Sequence, residues 1–309
     1  MPAITVMPRW PDPRQTAVFR PPVALLLVCL LSACGGSSGG SADTPVNAPP
    51  TSTAAPVQAS TTAAQPPPTL IPAPAPDAVI RVLTLYSTGT RAHFSNIELR
   101  IAHLLNVANT VMEDSNVPVR FELARAMATD YPDDYLITEA LEALTFASHP
   151  SFAQVAATRD LVEADLVTLF RPYANDGLCG YAWVGGFGAN GDFSHPAEAD
   201  FGYSAVAIDC SDYTLVHELG HNLGLVHSRR EDPDGGSLPY GAGFGVDNDF
   251  VTIMASPRIF NAVRLPRFSS PTTLCNAQAC GVDSADPVQG ADATLALSQV
   301  VEQVAGYRD

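Results

Sequence analysis

The chain has 309 residues and a net charge of −16, with 16 basic residues, all of them arginine, against 32 acidic ones. That length suits one or two domains. So acidic a chain, with no basic cluster, argues against nucleic acid as a partner and against electrostatic docking on anionic lipid.

At the N-terminus, Arg9, Arg14 and Arg20 precede an apolar run from Val23 to Leu31. A basic flank before a short apolar core is the pattern of a secretory signal, and the run falls short of the roughly 20 apolar residues that span a bilayer. It ends in Leu31-Ser32-Ala33-Cys34, followed by Gly35-Gly36. This resembles the bacterial lipobox. The resemblance implies a lipoprotein signal peptide over residues 1–33 and lipidation of Cys34. With Gly after the Cys, it also implies export to the outer membrane or cell surface. Residues 34–76 are rich in Gly, Ser, Thr, Ala and Pro, a composition that cannot bury enough apolar surface to offset its ordering entropy. We expect a disordered tether that holds a folded domain off the membrane.

Composition shifts at Asp77, where one folded domain, residues 77–309, is expected to begin. Val79 to Tyr86 is a β-branched run and predicts a buried strand. Ile97, Ile101, Leu104, Leu105 and Ala108 recur at helical spacing and predict a helix over 96–112. Strand alternation follows over 118–123, with Val119 and Phe121 on one face. Helices are predicted over 136–144 and 152–163, and strands over 164–170, 181–184 and 203–208. A last helix is predicted over 292–305, with Leu295, Val301 and Val304 as packing residues. Strands alternating with helices indicate an α/β sheet domain.

Of six cysteines, Cys29 and Cys34 lie in the N-terminal segment. The even set Cys179, Cys210, Cys275 and Cys280 suits two disulfides in an oxidising compartment. Cys275 and Cys280 are close enough to close a small loop, which would leave Cys179 with Cys210, one of three connectivities. No CxxC spacing supports a cysteine metal site.

The stretch His217-Glu218-Leu219-Gly220-His221-Asn222-Leu223-Gly224-Leu225-Val226-His227 carries the chemistry. His217 and His221, four apart, share one face of a helix and can reach one ion. Gly224 can take positive φ, end the helix and reverse the chain, bringing His227 back as a third ligand. Three protein ligands leave a fourth position for water, as in a catalytic zinc site. Glu218, beside the first ligand, can take a proton from that water and pass it to a leaving amine. Val216, Leu219 and Leu223 would pack the opposite face.

This extended motif resembles the metzincin metallopeptidases, most closely their reprolysin or adamalysin-like branch, whose bacterial members include peptidyl-Asp metallopeptidases. Thr252-Ile253-Met254-Ala255-Ser256 resembles the family's Met-turn, which implies that Met254 floors the zinc site. Cys179 to Trp183 resembles the strand bordering the substrate cleft in related enzymes. The resemblance implies an α/β metzincin-like fold with a mixed sheet, a zinc-binding active-site helix and a small C-terminal subdomain. The upper part would run to about 227 and the lower from about 228 to 309. It also implies a zinc endopeptidase acting on proteins or peptides; we expect a monomer, with the lipobox-like segment attaching it to the membrane through Cys34. Ser256 stands where some members have a zinc-adjacent Tyr, so no such role is carried over. The acidic turns 232–236 and 247–249 are oxygen-rich enough for calcium, but polar loops rimming a cleft are the favoured reading. From another class, the alternative is a catalytically silent surface binding protein on the same scaffold, which the intact Glu218 and three His argue against.

Overall fold

The structure, a computed structural model, describes residues 78–186 and 188–308. The expected signal peptide, Cys34 and the tether lie outside these residues. Strand β1 (Ala78–Ser87) leads to helix α1 (Ile97–Asp114), strand β2 (Val119–Thr129), helices α2 (Ile137–Thr145) and α3 (Val155–Leu161), and strand β3 (Leu166–Arg171). Next come β4 (Gly180–Ala182), the single turn α4 (Pro196–Ala199), β5 (Tyr203–Ala207) and α5 (Thr214–Asn222). Short strands follow: β6 (Val226–Ser228), β7 (Ala242–Gly243), β8 (Gly245–Val246) and β9 (Phe250–Val251). The turn α6 (Pro257–Phe260), β10 (Val263–Arg264), the β11 (Leu274–Cys275) and β12 (Gln278–Ala279) hairpin, and α7 (Ala293–Ala305) complete the order.

The main sheet runs β2-β1-β3-β5-β4. The first four strands are parallel and β4 is antiparallel to β5, so the sheet is mixed, with its one reversed strand at the edge. Alternation along the strands assigns the two faces. Ile80 and Val82 of β1, Leu166 and Phe170 of β3 and Val206 of β5 point to one face, which α1, α5 and α7 cover. Leu83, Leu85, Val167, Leu169 and Ala205 point to the other, where Leu141 and Leu144 of α2, Phe152 and Val155 pack. Both faces are apolar because both carry helices, as a parallel sheet requires.

Some expectations shift. The third helix begins at Val155 rather than near Phe152, because Pro150 opens a separate 3₁₀ turn over Pro150–Phe152. Strand β2 continues to Thr129, since it pairs along the whole of β1. On α7, Val301 and Val304 are buried as expected, but Leu295 is 37% exposed. Ala296, Leu297 and Val300 fill the packing stripe instead, against the sheet face under β1. The four domain cysteines form Cys179–Cys210 and Cys275–Cys280. The first ties the residue before β4 to the segment before α5, and the second closes the β11–β12 hairpin.

Candidate metal centre and active site

Helix α5 is amphipathic in an unusual sense: all nine of its residues are buried. Leu215, Val216 and Leu219, with Leu223 just beyond the helix, enter the main core, while His217 and His221 project from another face. The helix ends as its sequence requires. Gly224 has φ +84°, and a Cβ there would stand 2.8 Å from Ser237 Cβ, so glycine is needed for both conformation and space. Gly224 N–H donates to His221 O at 2.8 Å and Leu225 N–H to Gly220 O at 3.0 Å, the paired bonds of a Schellman reversal. The Asn222 amide donates to Trp183 O and Tyr203 O, each at 3.0 Å, and so fastens the helix end to the β4 edge of the sheet.

The reversal carries the chain into β6, whose pairing with β7 shifts register between Val226 and Ser228, where His227 sits. The three imidazoles meet with ring centroids 4.8, 4.9 and 5.2 Å apart. Among the described residues they form the one His, Cys, Asp or Glu group able to hold an ion, their ligand atoms all within 4.8 Å of one another.

Their outer nitrogens are oriented by oxygen atoms. His217 Nδ1 lies 2.9 Å from Ile253 O, and His221 Nδ1 lies 2.8 Å from Leu225 O. His227 Nδ1 lies 3.4 Å from Asp232 Oδ2, which also accepts from the His227 backbone N–H at 3.1 Å. For His217 and His221 the Nδ1–H donated to a carbonyl leaves the Nε2 lone pair free for a cation, whereas His227 Nδ1 faces the Asp232 carboxylate without a hydrogen bond. His217 Nε2 and His227 Nε2 are 3.2 Å apart. Two nitrogens bound tetrahedrally at 2.0–2.1 Å from zinc stand about 3.3 Å apart, so the donor set fits that ion. Burial, with the neighbouring imidazoles, holds His217 well below the ordinary histidine range, and burial lowers His221 to about 3. Both are therefore neutral, the form that coordinates.

Met254, fully buried, lies beneath the helix: its sulfur would stand 2.7 Å from a Cβ at Gly220. The preceding carbonyl is the one that orients His217, so the turn supports the site twice. Glu218 is also fully buried, and neither carboxylate oxygen has a hydrogen-bond partner among the described residues. Burial raises its carboxyl well above the usual range, against the opposing charge of Arg264. It lies against Gly180 of the edge strand β4, where a Cβ would meet Glu218 Oε1 at 2.1 Å.

Sequence reasoning missed several of these supports. It read Asp232 as part of an acidic turn, whereas the structure places it behind His227. Asp247 forms a two-pronged pair with Arg230, at 2.6 and 2.9 Å, and Asp249 accepts from Asn276 and Gln278. Gly180 was read only as part of the Cys179–Trp183 segment and Arg264 drew no notice, since each matters through residues distant in the chain.

A profile of the reprolysin-like metallo-peptidase family M12B matches residues 77–285, which is most of the domain and more than half of the chain. The chain belongs to this family. Among curated relatives, a peptidyl-Asp metalloendopeptidase of Pseudomonas aeruginosa is 30% identical over 252 residues, covering 76% of this chain and 41% of the relative. One of the same name from Xanthomonas campestris pv. campestris is 26% identical, covering 66% of this chain and 47% of the relative. The chain thus spans less than half the length of these two relatives. A chain in a solved structure titled "Structure of a chaperone-substrate complex" is similar with a TM-score of 0.59 at 22% identity. The match covers 76% of this chain and 35% of that one, a likeness of fold alone.

Proposed function

We propose that the protein is a zinc-dependent endopeptidase in which His217, His221 and His227 hold the metal and Glu218 is the general base. The convergence of three buried imidazoles, two held through Nδ1 by backbone carbonyls and the third facing the Asp232 carboxylate, carries this reading. Zinc, when bound, supplies the Lewis acidity that activates water and polarises a scissile carbonyl.

The remaining steps belong to the chain. Glu218 accepts the proton of the attacking water and delivers it to the departing nitrogen. Burial raises its carboxyl above the ordinary carboxylate range, which makes it a stronger base than an exposed glutamate. One edge of β4 is unpaired among the described strands, so an extended peptide can add there as a further strand, beside Glu218. Trp183, just past β4, and Phe201 pack edge to face with centroids 5.4 Å apart and give that rim an apolar border. Met254 keeps the ligand helix at its height.

The names of the relatives support a preference for aspartyl peptides in this chain as well. The lipobox-like segment and the two disulfides support an exported protein anchored through Cys34 in the bacterial envelope. A Cys34→Ala variant is expected to leave the membrane fraction and lose metabolic acyl label.

The test compares the purified full chain with its Glu218→Ala variant for bound zinc and for cleavage of an unfolded protein mixture, with products read by mass spectrometry. Both should bind about one zinc per chain and only the parent should cleave. Equal residual cleavage by the variant would remove Glu218 from its role. Zinc binding without cleavage by either protein would favour a binding module.

A further inference from the structure

The segment after Met254 brings a second charge to the site. Strand β10 pairs in parallel with β9, placing Arg264 opposite Val251. From there Arg264 Nη2 donates to Ala255 O at 3.1 Å. Its guanidinium is thereby fixed to the turn whose Ile253 carbonyl orients His217 and whose Met254 floors the ligand helix.

This cation lacks a counter-charge in contact. Its Nε is buried without a hydrogen-bond partner, and it forms no salt bridge among the described residues. Burial lowers its pKa to about 10, while Glu218 and Glu231 are close enough for their charges to oppose that shift. Glu231 is already engaged, accepting from Ser228 Oγ at 2.7 Å. Glu218 must stay free for proton transfer under the reading above. Arg230 differs, since both of its terminal nitrogens bind Asp247. Arg264 is partly exposed as a residue, so a ligand can reach the side chain although its Nε is enclosed.

A largely buried guanidinium with an idle donor costs free energy unless an anion arrives. Its planar fork matches a carboxylate in a way that a neutral amide cannot.

We propose that Arg264 selects the substrate by pairing with an acidic side chain beside the scissile bond, holding an aspartyl carboxylate while Glu218 acts on the adjacent peptide. This rests on the endopeptidase reading and adds the residue that sets its specificity. Arg264 also acts on Glu218 electrostatically, so a general effect on the base is the competing explanation.

The experiment uses the full chain loaded with zinc and three quenched peptides that differ only beside the cut, with Asp, Asn or Ala. Wild type is expected to favour Asp over Asn by about 100-fold in kcat/KM, because a site built for a charged group leaves its donors unpaired when that group is missing. Arg264→Gln should bring the ratio near one, mainly by slowing the Asp peptide. Arg264→Lys, which keeps the charge but loses the fork, should fall between. Zinc content and thermal melting, measured on each variant, separate these effects from misfolding. Equal slowing of all three peptides in both variants would overturn the proposal and make Arg264 a positioning residue for Glu218. Wild-type cleavage without preference for Asp would also overturn it, while leaving the endopeptidase reading intact. Failure of wild type to cut any peptide or protein would remove both.

Discussion

Gly180 and Glu218 occupy adjoining space: a Cβ at position 180 would stand 2.1 Å from Glu218 Oε1 and 2.5 Å from its carboxyl carbon. The edge strand and the general base we propose are therefore fitted to one another, and the missing side chain at 180 is part of the site. Gly180→Ala should push Glu218 from its position and lower kcat by about 100-fold or more, the scale on which a positioned base contributes. Zinc content should be unchanged. Unimpaired cleavage by this variant would show that Glu218 does not act from where it lies.

The Asp232 carboxylate behind His227 should govern metal affinity rather than fold. Asp232→Asn keeps the shape but weakens the hold on the His227 ring, and we expect zinc affinity to fall about 10- to 100-fold in competition with a chelating dye. Removing the metal with a chelator should lower the Tm of wild type, because the ion binds only the folded chain. It should scarcely move that of His221→Ala.

Beneath the helix, Met254 is fully buried with its sulfur against Gly220. Met254→Ala should cost about 2–5 kcal/mol in denaturant unfolding, the usual range for truncating a buried Met. Met254→Leu, which conserves volume, should cost less than about 1.5 kcal/mol. A small loss for both would mean that the turn supports the site through the Ile253 carbonyl alone.

Glu198 gives a pH signature away from the metal ligands. Burial raises its carboxyl, although it accepts from Gly186 N–H at 2.7 Å. A carboxyl raised on folding adds stability below its unfolded pKa and withdraws it as pH climbs through the folded value. Glu198→Gln can keep an acceptor for Gly186 and carries no charge to bury. Its Tm should exceed that of wild type at pH 8 and match it near pH 4. A gain of equal size at both pH values would mean that ionisation is not the cause.

Much of the site was legible because the ligands are close in sequence. The four-residue step from His217 to His221, and Gly224 as the reversal, specify where three imidazoles go without reference to the rest of the fold. The sheet strands were legible from their apolar runs, but the reversed direction of β4 was not, since pairing is decided by partners far along the chain. The same distance hid Gly180, whose glycine identity is set by Glu218, and Arg264, whose role depends on the turn after Met254. Asp232 drew notice for its acidity, yet only the fold shows that it backs His227. Leu295 was misplaced because helical spacing alone allows two neighbouring stripes on α7, and packing under β1 chose the one through Leu297.

The Schellman reversal at Gly224 has a bearing on the order of assembly. Two of the three oxygens that face the imidazole Nδ1 atoms, Leu225 O and the Asp232 carboxylate, lie within five residues of their rings, whereas Ile253 O is 36 residues from His217. Short loops close early and at small entropic cost. A zinc ion present during refolding can thus gather residues 217–232 into a local nucleus, onto which the turn carrying Ile253 and Met254 docks later. Stopped-flow refolding should be faster with zinc than with chelator, and Gly224→Ala should erase the difference.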